Sequence, residues 1–186
     1  MVQENSDLSS DTLSLSGYIT KKDFINHNRY HFTRFNRILF IFSFLTFISI
    51  FLFYTWNLEE NTDFRIFTLI LGTSIALIVS SLGFLWGKLV HRIRAANEYK
   101  SDQLIKSEIS LILSPQEIEQ KIRRSTNYYP WSEIIAAYEH KDMFRLYISK
   151  NKAILIPKTF FTSQDEMEQL KELVNKNMEK GKIKLL

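Results

Sequence analysis

The chain has 186 residues, which is enough for a membrane anchor and one soluble domain of ordinary size. Its formal net charge of +4 is too small for a dedicated nucleic-acid-binding protein, so no nucleic-acid partner is expected. The absence of cysteine excludes disulfides, thiolate metal sites and a cysteine nucleophile.

The N-terminal part changes character near position 17. Residues 1–16 are rich in Ser, Asp and Asn without a basic residue, which predicts a disordered tail. Residues 17–37 form a predicted juxtamembrane amphipathic arm, whose helix starts at a capping box of Thr20 and Asp23. Its two histidines, His27 and His31, have metal-ligand spacing, but no carboxylate stands where a third ligand is needed. We therefore predict neither a metal site nor any other cofactor.

Two uncharged apolar runs follow, at residues 38–56 and 66–87. The first, with 19 residues, would be about 28 Å long as a helix, close to the thickness of a bilayer core. Both are predicted to be transmembrane helices. Five small residues recur at helical spacing in the second run and predict close helix packing against Ser43, Thr46 and Ser49 of the first. They are Gly72, Ala76, Ser80, Gly83 and Gly87.

The charges that flank the two runs predict the orientation. The short connection of residues 57–65 is acidic, whereas basic residues precede the first run and follow the second. By the positive-inside rule, both termini lie in the cytoplasm and the connection lies outside. Seven residues are predicted to lie at the membrane interface, and they are Arg34, Arg37, Trp56, Trp86, Lys88, Arg92 and Arg94.

The remaining chain is predicted to be a juxtamembrane linker at residues 88–104 and a cytoplasmic α+β domain at residues 105–186. The clearest strand alternates apolar Phe144, Leu146 and Ile148 with Arg145, Tyr147 and Ser149, which predicts one buried and one solvated face. A final helix is predicted to start at the capping box of Ser163 and Glu166 and to end at Gly181. This helix would cover the apolar face of an antiparallel sheet.

The chain resembles the YcxB-like family of bacterial membrane proteins from about Gly17 onward. The resemblance is carried by GYITKKDFINHNRYHFTRFNR at residues 17–37, the paired apolar runs, WSEI at 131–134, LYIS at 146–149 and AILIPKTF at 153–160. It implies a multi-pass protein of the bacterial cytoplasmic membrane whose C-terminal domain is pleckstrin-homology-like (PH-like), with a bent antiparallel sheet closed by a C-terminal helix. The five or six strands predicted here are fewer than the seven of a complete fold of that kind. The resemblance implies an architecture and no activity.

No catalytic motif is present, so the chain is predicted not to be an enzyme. Lys121, Arg123, Arg124 and Trp131 are the candidate residues for binding an anionic lipid headgroup or a protein partner, although a mixed solvent-exposed surface, with Trp131 as a core anchor, is the plainer interpretation. His140 and Lys158 are predicted to be exposed turn and strand-end residues. A non-enzymatic interaction module at the inner membrane face is the leading hypothesis. A membrane-protective or peptide self-immunity protein is the alternative, a small transporter is disfavoured, and homo-oligomerisation is left open.

Overall fold

The computed structural model describes residues 12–56 and 62–185, which form two compact units. The first unit, called the β domain below, comprises residues 12–24 and 99–185, and the second, called the helical hairpin, comprises Ile25–Glu98. The first eleven residues of the predicted tail and residues 57–61 of the predicted loop lie outside the described residues.

The described residues form three α-helices and eight strands, besides three short 3₁₀ helices. The helices are α1 (Lys21–Trp56), α2 (Thr62–Ser101) and α3 (Gln164–Asn177). The strands are β1 (Leu13–Tyr18), β2 (Glu108–Leu113), β3 (Glu117–Ile122), β4 (Ser125–Pro130), β5 (Ala136–Glu139), β6 (Met143–Tyr147), β7 (Ala153–Pro157) and β8 (Ile183–Lys184).

The β domain contains two four-stranded sheets around one core. The first sheet is antiparallel in the order β1-β2-β3-β4, and the second has the order β7-β6-β5-β8, with only β8 parallel to its neighbour. The apolar faces of both sheets and of α3 contribute to the same cluster of buried residues. Two sheets and a helix around a shared core are an α+β arrangement, as the sequence predicts.

Strand β1 corrects the prediction of disorder for the end of the tail, residues 13–16. Leu13 and Leu15 are each only 3% exposed, while Ser14 between them and Ser16 after them are exposed. This alternation is that of a strand with one buried face, and the strand pairs in antiparallel register with all of β2. The domain boundary predicted at residue 105 is therefore wrong as well, because the β domain begins before the helical hairpin.

The two chain segments that connect the β domain to the helices lie side by side. The predicted capping box is confirmed, since the Asp23 N–H donates to Thr20 Oγ1 at 3.1 Å and the Thr20 N–H donates to Asp23 Oδ2 at 3.0 Å. The Tyr99 hydroxyl donates to the Ile19 carbonyl at 3.0 Å, and its ring lies 6.2 Å from that of Phe24. The start of α1 and the end of α2 therefore belong to the same packed domain.

Both helices of the hairpin are long and apolar enough to cross a bilayer. In their most apolar 18-residue windows, only 6% of α1 and 17% of α2 is buried inside the structure. Core helices of soluble proteins are mostly buried, so this exposure favours an apolar environment around the hairpin. The predicted arm is continuous with α1 from Lys21 onward, and the predicted linker is continuous with α2 up to Ser101.

Only part of the predicted stripe of small residues lies at the interface between α1 and α2. Gly72, Ala76 and Ser80 are buried, and Ser80 Oγ lies 3.2 Å from Ser43 Oγ. A Cβ at Gly72 would collide with the Phe51 ring, so glycine is needed there. Gly83, in contrast, has no atom within 4 Å of the place where its Cβ would stand, whereas a Cβ at Gly87 would lie 3.8 Å from Asn36 Oδ1 of α1.

Two further predictions in the β domain need correction. All five residues of β6 are buried, so the face that carries Arg145 and Tyr147 is not solvated. Helix α3 starts at the predicted cap, where the Glu166 N–H donates to Ser163 Oγ at 3.3 Å. It ends at Asn177 instead of at Gly181, because Met178 takes up extended backbone angles and buries its side chain in the core.

Candidate functional site

The three predicted basic residues surround the tight turn between β3 and β4, called the basic turn below (Lys121, Arg123 and Arg124). Arg123 has a φ of 55°, and it is the one non-glycine residue of the described ranges with a positive φ. A positive φ at the first residue of a two-residue hairpin turn is typical of type II′, for which glycine is preferred. Arginine in this position is strained, which calls for compensating contacts.

Side-chain hydrogen bonds of Arg123 supply those contacts. Its Nε–H donates to Ser107 Oγ at 2.7 Å, and its guanidinium also donates to the Gln103 carbonyl at 3.2 Å. Both acceptors lie in the short segment between α2 and β2. The basic turn is therefore at the end of the first sheet that lies next to residues 102–107, the segment before β2.

All three basic residues of the turn are exposed, but the guanidinium of Arg123 is engaged by Ser107 and Gln103. Lys121 projects from the outer face of β3 together with Glu119, while Ile118 projects into the core. This outer face of β3 carries both acidic and basic side chains, as in the mixed solvent-exposed surface that the sequence also allows. The structure thus gives the three basic residues different tasks, with Arg123 holding the turn and Lys121 and Arg124 presenting charge to the surroundings.

Trp131 does not belong to an exposed site. It is 5% exposed, is a member of the core cluster, and its indole N–H donates to the Ser114 carbonyl at 2.8 Å. These contacts do not support the predicted partner-binding role of Trp131. They are those of a core anchor, the alternative interpretation of this residue. Its hydrogen bond satisfies the one polar atom of a side chain that otherwise contributes apolar area.

A cluster of aromatic and basic side chains covers the outer face of the second sheet. Arg145 is 3% exposed, donates to the Tyr147 hydroxyl at 2.8 Å, and lies 2.6 Å from His140 Nε2. Its guanidinium also stacks at 5.4 Å from the Tyr138 ring centroid. Burial raises the pKa of Tyr147, against the neighbouring charge of Arg145, which lowers it. His140 is thus part of a packed cluster and not the exposed turn residue that the sequence predicts.

A second polar cluster joins three elements beneath α3. The buried Glu139 carboxylate, whose side chain is 4% exposed, accepts from Lys158 Nζ at 2.5 Å and lies 3.3 Å from Lys171 Nζ. Partial burial lowers the pKa of Lys171, but hydrogen bonds to Glu168 and Glu139 outweigh it and raise the pKa overall. Lys158 is therefore an ion-pair partner and not a free surface residue.

The sequence pattern does not predict these two clusters, because their members come from different elements. A pattern of period two assigns Glu139 and Arg145 to faces but does not show what covers each face. The Arg145 cluster has a faint signal, since the arginine stands two residues from Tyr147 on a strand opposite Tyr138. The link from Glu139 to Lys158 and Lys171 has no local signal.

The residues predicted for the membrane interface lie on the exposed surface of the hairpin. Trp56 and Trp86 are 85% and 68% exposed, and the five basic residues Arg34, Arg37, Lys88, Arg92 and Arg94 are exposed as well. Lys88 Nζ lies 4.1 Å from the ring centroid of Phe84. The rings of His27 and His31 are 6.1 Å apart, and the described residues contain no group of three side chains that could hold a metal ion.

Comparison with known proteins confirms the resemblance predicted from the sequence. The sequence model described as "YcxB-like protein" matches residues 113–174, a range that extends from the end of β2 into α3. A protein of Bacillus subtilis (strain 168), named "Uncharacterized protein YcxB", is 27% identical over 176 residues, which cover 94% of each chain. No solved structure matches the chain.

Proposed function

We propose, from the premise that this chain is a YcxB-like protein, that it is a two-span integral membrane protein without enzymatic activity. It holds a PH-like interaction domain against the inner face of the bacterial cytoplasmic membrane, with both termini in the cytoplasm. There, the basic turn contacts anionic lipid headgroups. The one observation that carries this proposal is the pairing of β1 with β2.

That pairing joins chain segments on either side of the helical hairpin. Six residues of β1, before α1, pair with six residues of β2, after α2. Two strands of one sheet must lie in the same compartment, so the hairpin crosses the bilayer an even number of times. Together with the basic flanks, this supports two spans with both ends in the cytoplasm.

Strand β1 also supports a PH-like architecture. Seven strands, β1 to β7, precede α3 when β1 is included, which is the number that a complete fold of this kind needs. The helical hairpin is then an insertion between the first and second strands of the domain. Such an insertion connects the domain to the hairpin at two points of the chain.

Reporter fusions test the proposed topology. An enzyme that is active only outside the cytoplasm is expected to be inactive when fused after Leu186 and active when inserted at Asn61, because only the short connection is exposed outside. A cytoplasmic fluorescent reporter at the same two positions should give the opposite pattern. An extracytoplasmic signal at both positions would contradict the two-span proposal.

The basic turn is proposed as the part of the domain that contacts lipid because it presents Lys121 and Arg124 as exposed cations, beside the segment of Gln103 and Ser107. Each basic residue near an anionic surface contributes about 1 kcal/mol, and this attraction is screened by salt over about 8 Å. Reversing Lys121 and Arg124 to Glu should therefore weaken the contact without disturbing the bonds of Arg123.

Because the chain contains no cysteine, this contact can be measured with one dye on Thr126→Cys in the full chain in lipid nanodiscs. Quenching by headgroup-labelled lipid is expected to fall in K121E/R124E when the lipid is anionic, with a smaller difference at high salt. The control K150E/K152E reverses two exposed charges in another turn and should change little. Equal quenching in all three proteins would move the membrane contact elsewhere.

The absence of enzymatic activity is proposed because the two polar clusters have packing partners that explain them. His140 is bonded to Arg145, and Glu139 is paired with two lysines, which are contacts that hold elements together. Loss of the cellular role in His140→Ala, with fold and quenching unchanged, would argue for catalysis instead.

A further inference from the structure

The helical hairpin carries a groove of about 490 Å³ on its surface. Its lining residues are Arg37, Phe40 and Ile41 of α1 and Ser81 and Phe84 of α2. We propose that this groove binds one anionic phospholipid, with an acyl chain along the aromatic walls and the phosphate between Arg37 and Lys88. The proposal rests on the membrane insertion of the hairpin proposed above.

The helices bring the two cations to the same level and the same side. Contacts between the helices proceed in step, from Phe32 against His91, through Phe40 against Phe84, to Ser43 against Ser80. These contacts place Arg37 of α1 and Lys88 of α2 within about one residue of each other along the helix axes.

Helical spacing also directs both cations towards the groove. Arg37 precedes Phe40 and Ile41 by three and four residues, and Lys88 follows Phe84 by four, so each shares a helix face with the lining. The Lys88 ammonium lies over the Phe84 ring itself. Positive charge therefore stands at one end of the groove, where the predicted spans end.

The remainder of the groove suits hydrocarbon. The Phe40 and Phe84 rings meet edge to face with centroids 5.8 Å apart and form its wall. Its volume is within the range of about 300–1,000 Å³ that is usual for small-molecule sites. An apolar cleft with two cations at its interfacial end is complementary to an amphiphile with an anionic head.

Charge complementarity favours lipid over a second copy of this chain. Residues 24–56 and 64–97 contain no Asp or Glu, so a parallel copy of the hairpin offers no carboxylate at the level of Arg37. Basic pockets between membrane helices on the cytoplasmic side recognise anionic headgroups. A phospholipid phosphate supplies the missing negative charge without a second protein.

Native mass spectrometry of the full chain in detergent tests this site. The protein is incubated with equal amounts of phosphatidylglycerol and phosphatidylcholine, and the retained lipid is counted. We expect a preference for phosphatidylglycerol that falls about fivefold for each charge removed in R37Q/K88Q, the change that corresponds to about 1 kcal/mol per basic residue. The control R29Q/R94Q removes two charges from the same end of the hairpin, at least six residues from the site, and should keep the preference.

A second variant leaves the charges in place. Ser81→Leu fills the groove and is expected to lower retention of both lipids without removing the charge preference. The proposal is overturned if R37Q/K88Q keeps the preference for phosphatidylglycerol, or if inorganic phosphate displaces all of the retained lipid. It is also overturned if R37Q/K88Q loses a dimer while it keeps its bound lipid. Alkaline extraction of membranes and the reporter at Asn61 report insertion separately, so an inserted hairpin without lipid preference refutes only this inference.

Discussion

Replacing Leu15 with aspartate is expected to unfold the β domain, although Leu15 is separated from the rest of that domain by the whole helical hairpin. Leu15 is 3% exposed and stands opposite the fully buried Leu111 in the register of β1 and β2. A carboxylate there would be buried without a partner, which costs more than about 4 kcal/mol and approaches the total stability of a small domain. Limited proteolysis of the full chain in membranes should show rapid cleavage within residues 103–186.

Ser16→Asp is the matched control for this variant. It places the same charge one residue further along, on the exposed face of β1, and should leave protection unchanged. Two soluble fragments extend the test. Residues 103–186 alone should not fold, because β2 loses its neighbour and the core loses Leu13 and Leu15, whereas residues 12–19 joined by a short flexible linker to 107–186 should fold. A well-folded fragment 103–186 would show that β1 is dispensable.

Removing Lys158 and Lys171 together is expected to cause the second large loss of stability in the β domain. The double variant K158M/K171M leaves the buried Glu139 carboxylate without the two ammonium groups that neutralise it. Breaking a buried pair in this way costs about 3–5 kcal/mol, because one charge stays desolvated. Urea unfolding of the linked soluble fragment at neutral pH should give a clearly lower midpoint than the parent.

Two features make this result specific. Adding Glu139→Leu to the double variant should restore most of the stability, because no buried charge is then left. The loss in the double variant should also depend on pH. A buried carboxyl group that has lost its neighbouring cations has a folded-state pKa above its unfolded value, so the destabilisation develops as pH rises from the unfolded value through the folded one and is relieved in acid. A loss independent of pH, with no rescue by Glu139→Leu, would contradict the assignment.

Local signals in the sequence predicted the helices well. The capping boxes at Thr20 and Ser163 place the starts of α1 and α3 correctly, since a cap depends on residues three apart. The long uncharged runs likewise lie within α1 and α2, because apolar length is a property of one segment. In both cases, the physical cause is contained in a short window of sequence.

Features that depend on distant partners were not predictable in the same way. Leu13 and Leu15 alternate with serines, but their composition resembles a disordered tail, and the strand that covers them begins at Glu108. The alternation in β6 places Arg145 and Tyr147 on a solvated face, since it cannot show that Tyr138 and His140 pack over them. The parallel pairing of β8 with β5 depends on where the chain returns after α3.

The assembly of the β domain across the hairpin is tested most directly by a cross-link between β1 and β2 in membranes. Ser16 and Ser110 face each other in the register of the two strands, and the chain has no native cysteine to interfere. The variant S16C/S110C, treated with a short bifunctional thiol reagent in cytoplasm-accessible membrane vesicles, is expected to cross-link within one chain. The positive control S110C/K121C joins register partners of β2 and β3. Cross-linking of the control pair without cross-linking of Ser16→Cys to Ser110→Cys would contradict a domain that is assembled across the inserted hairpin.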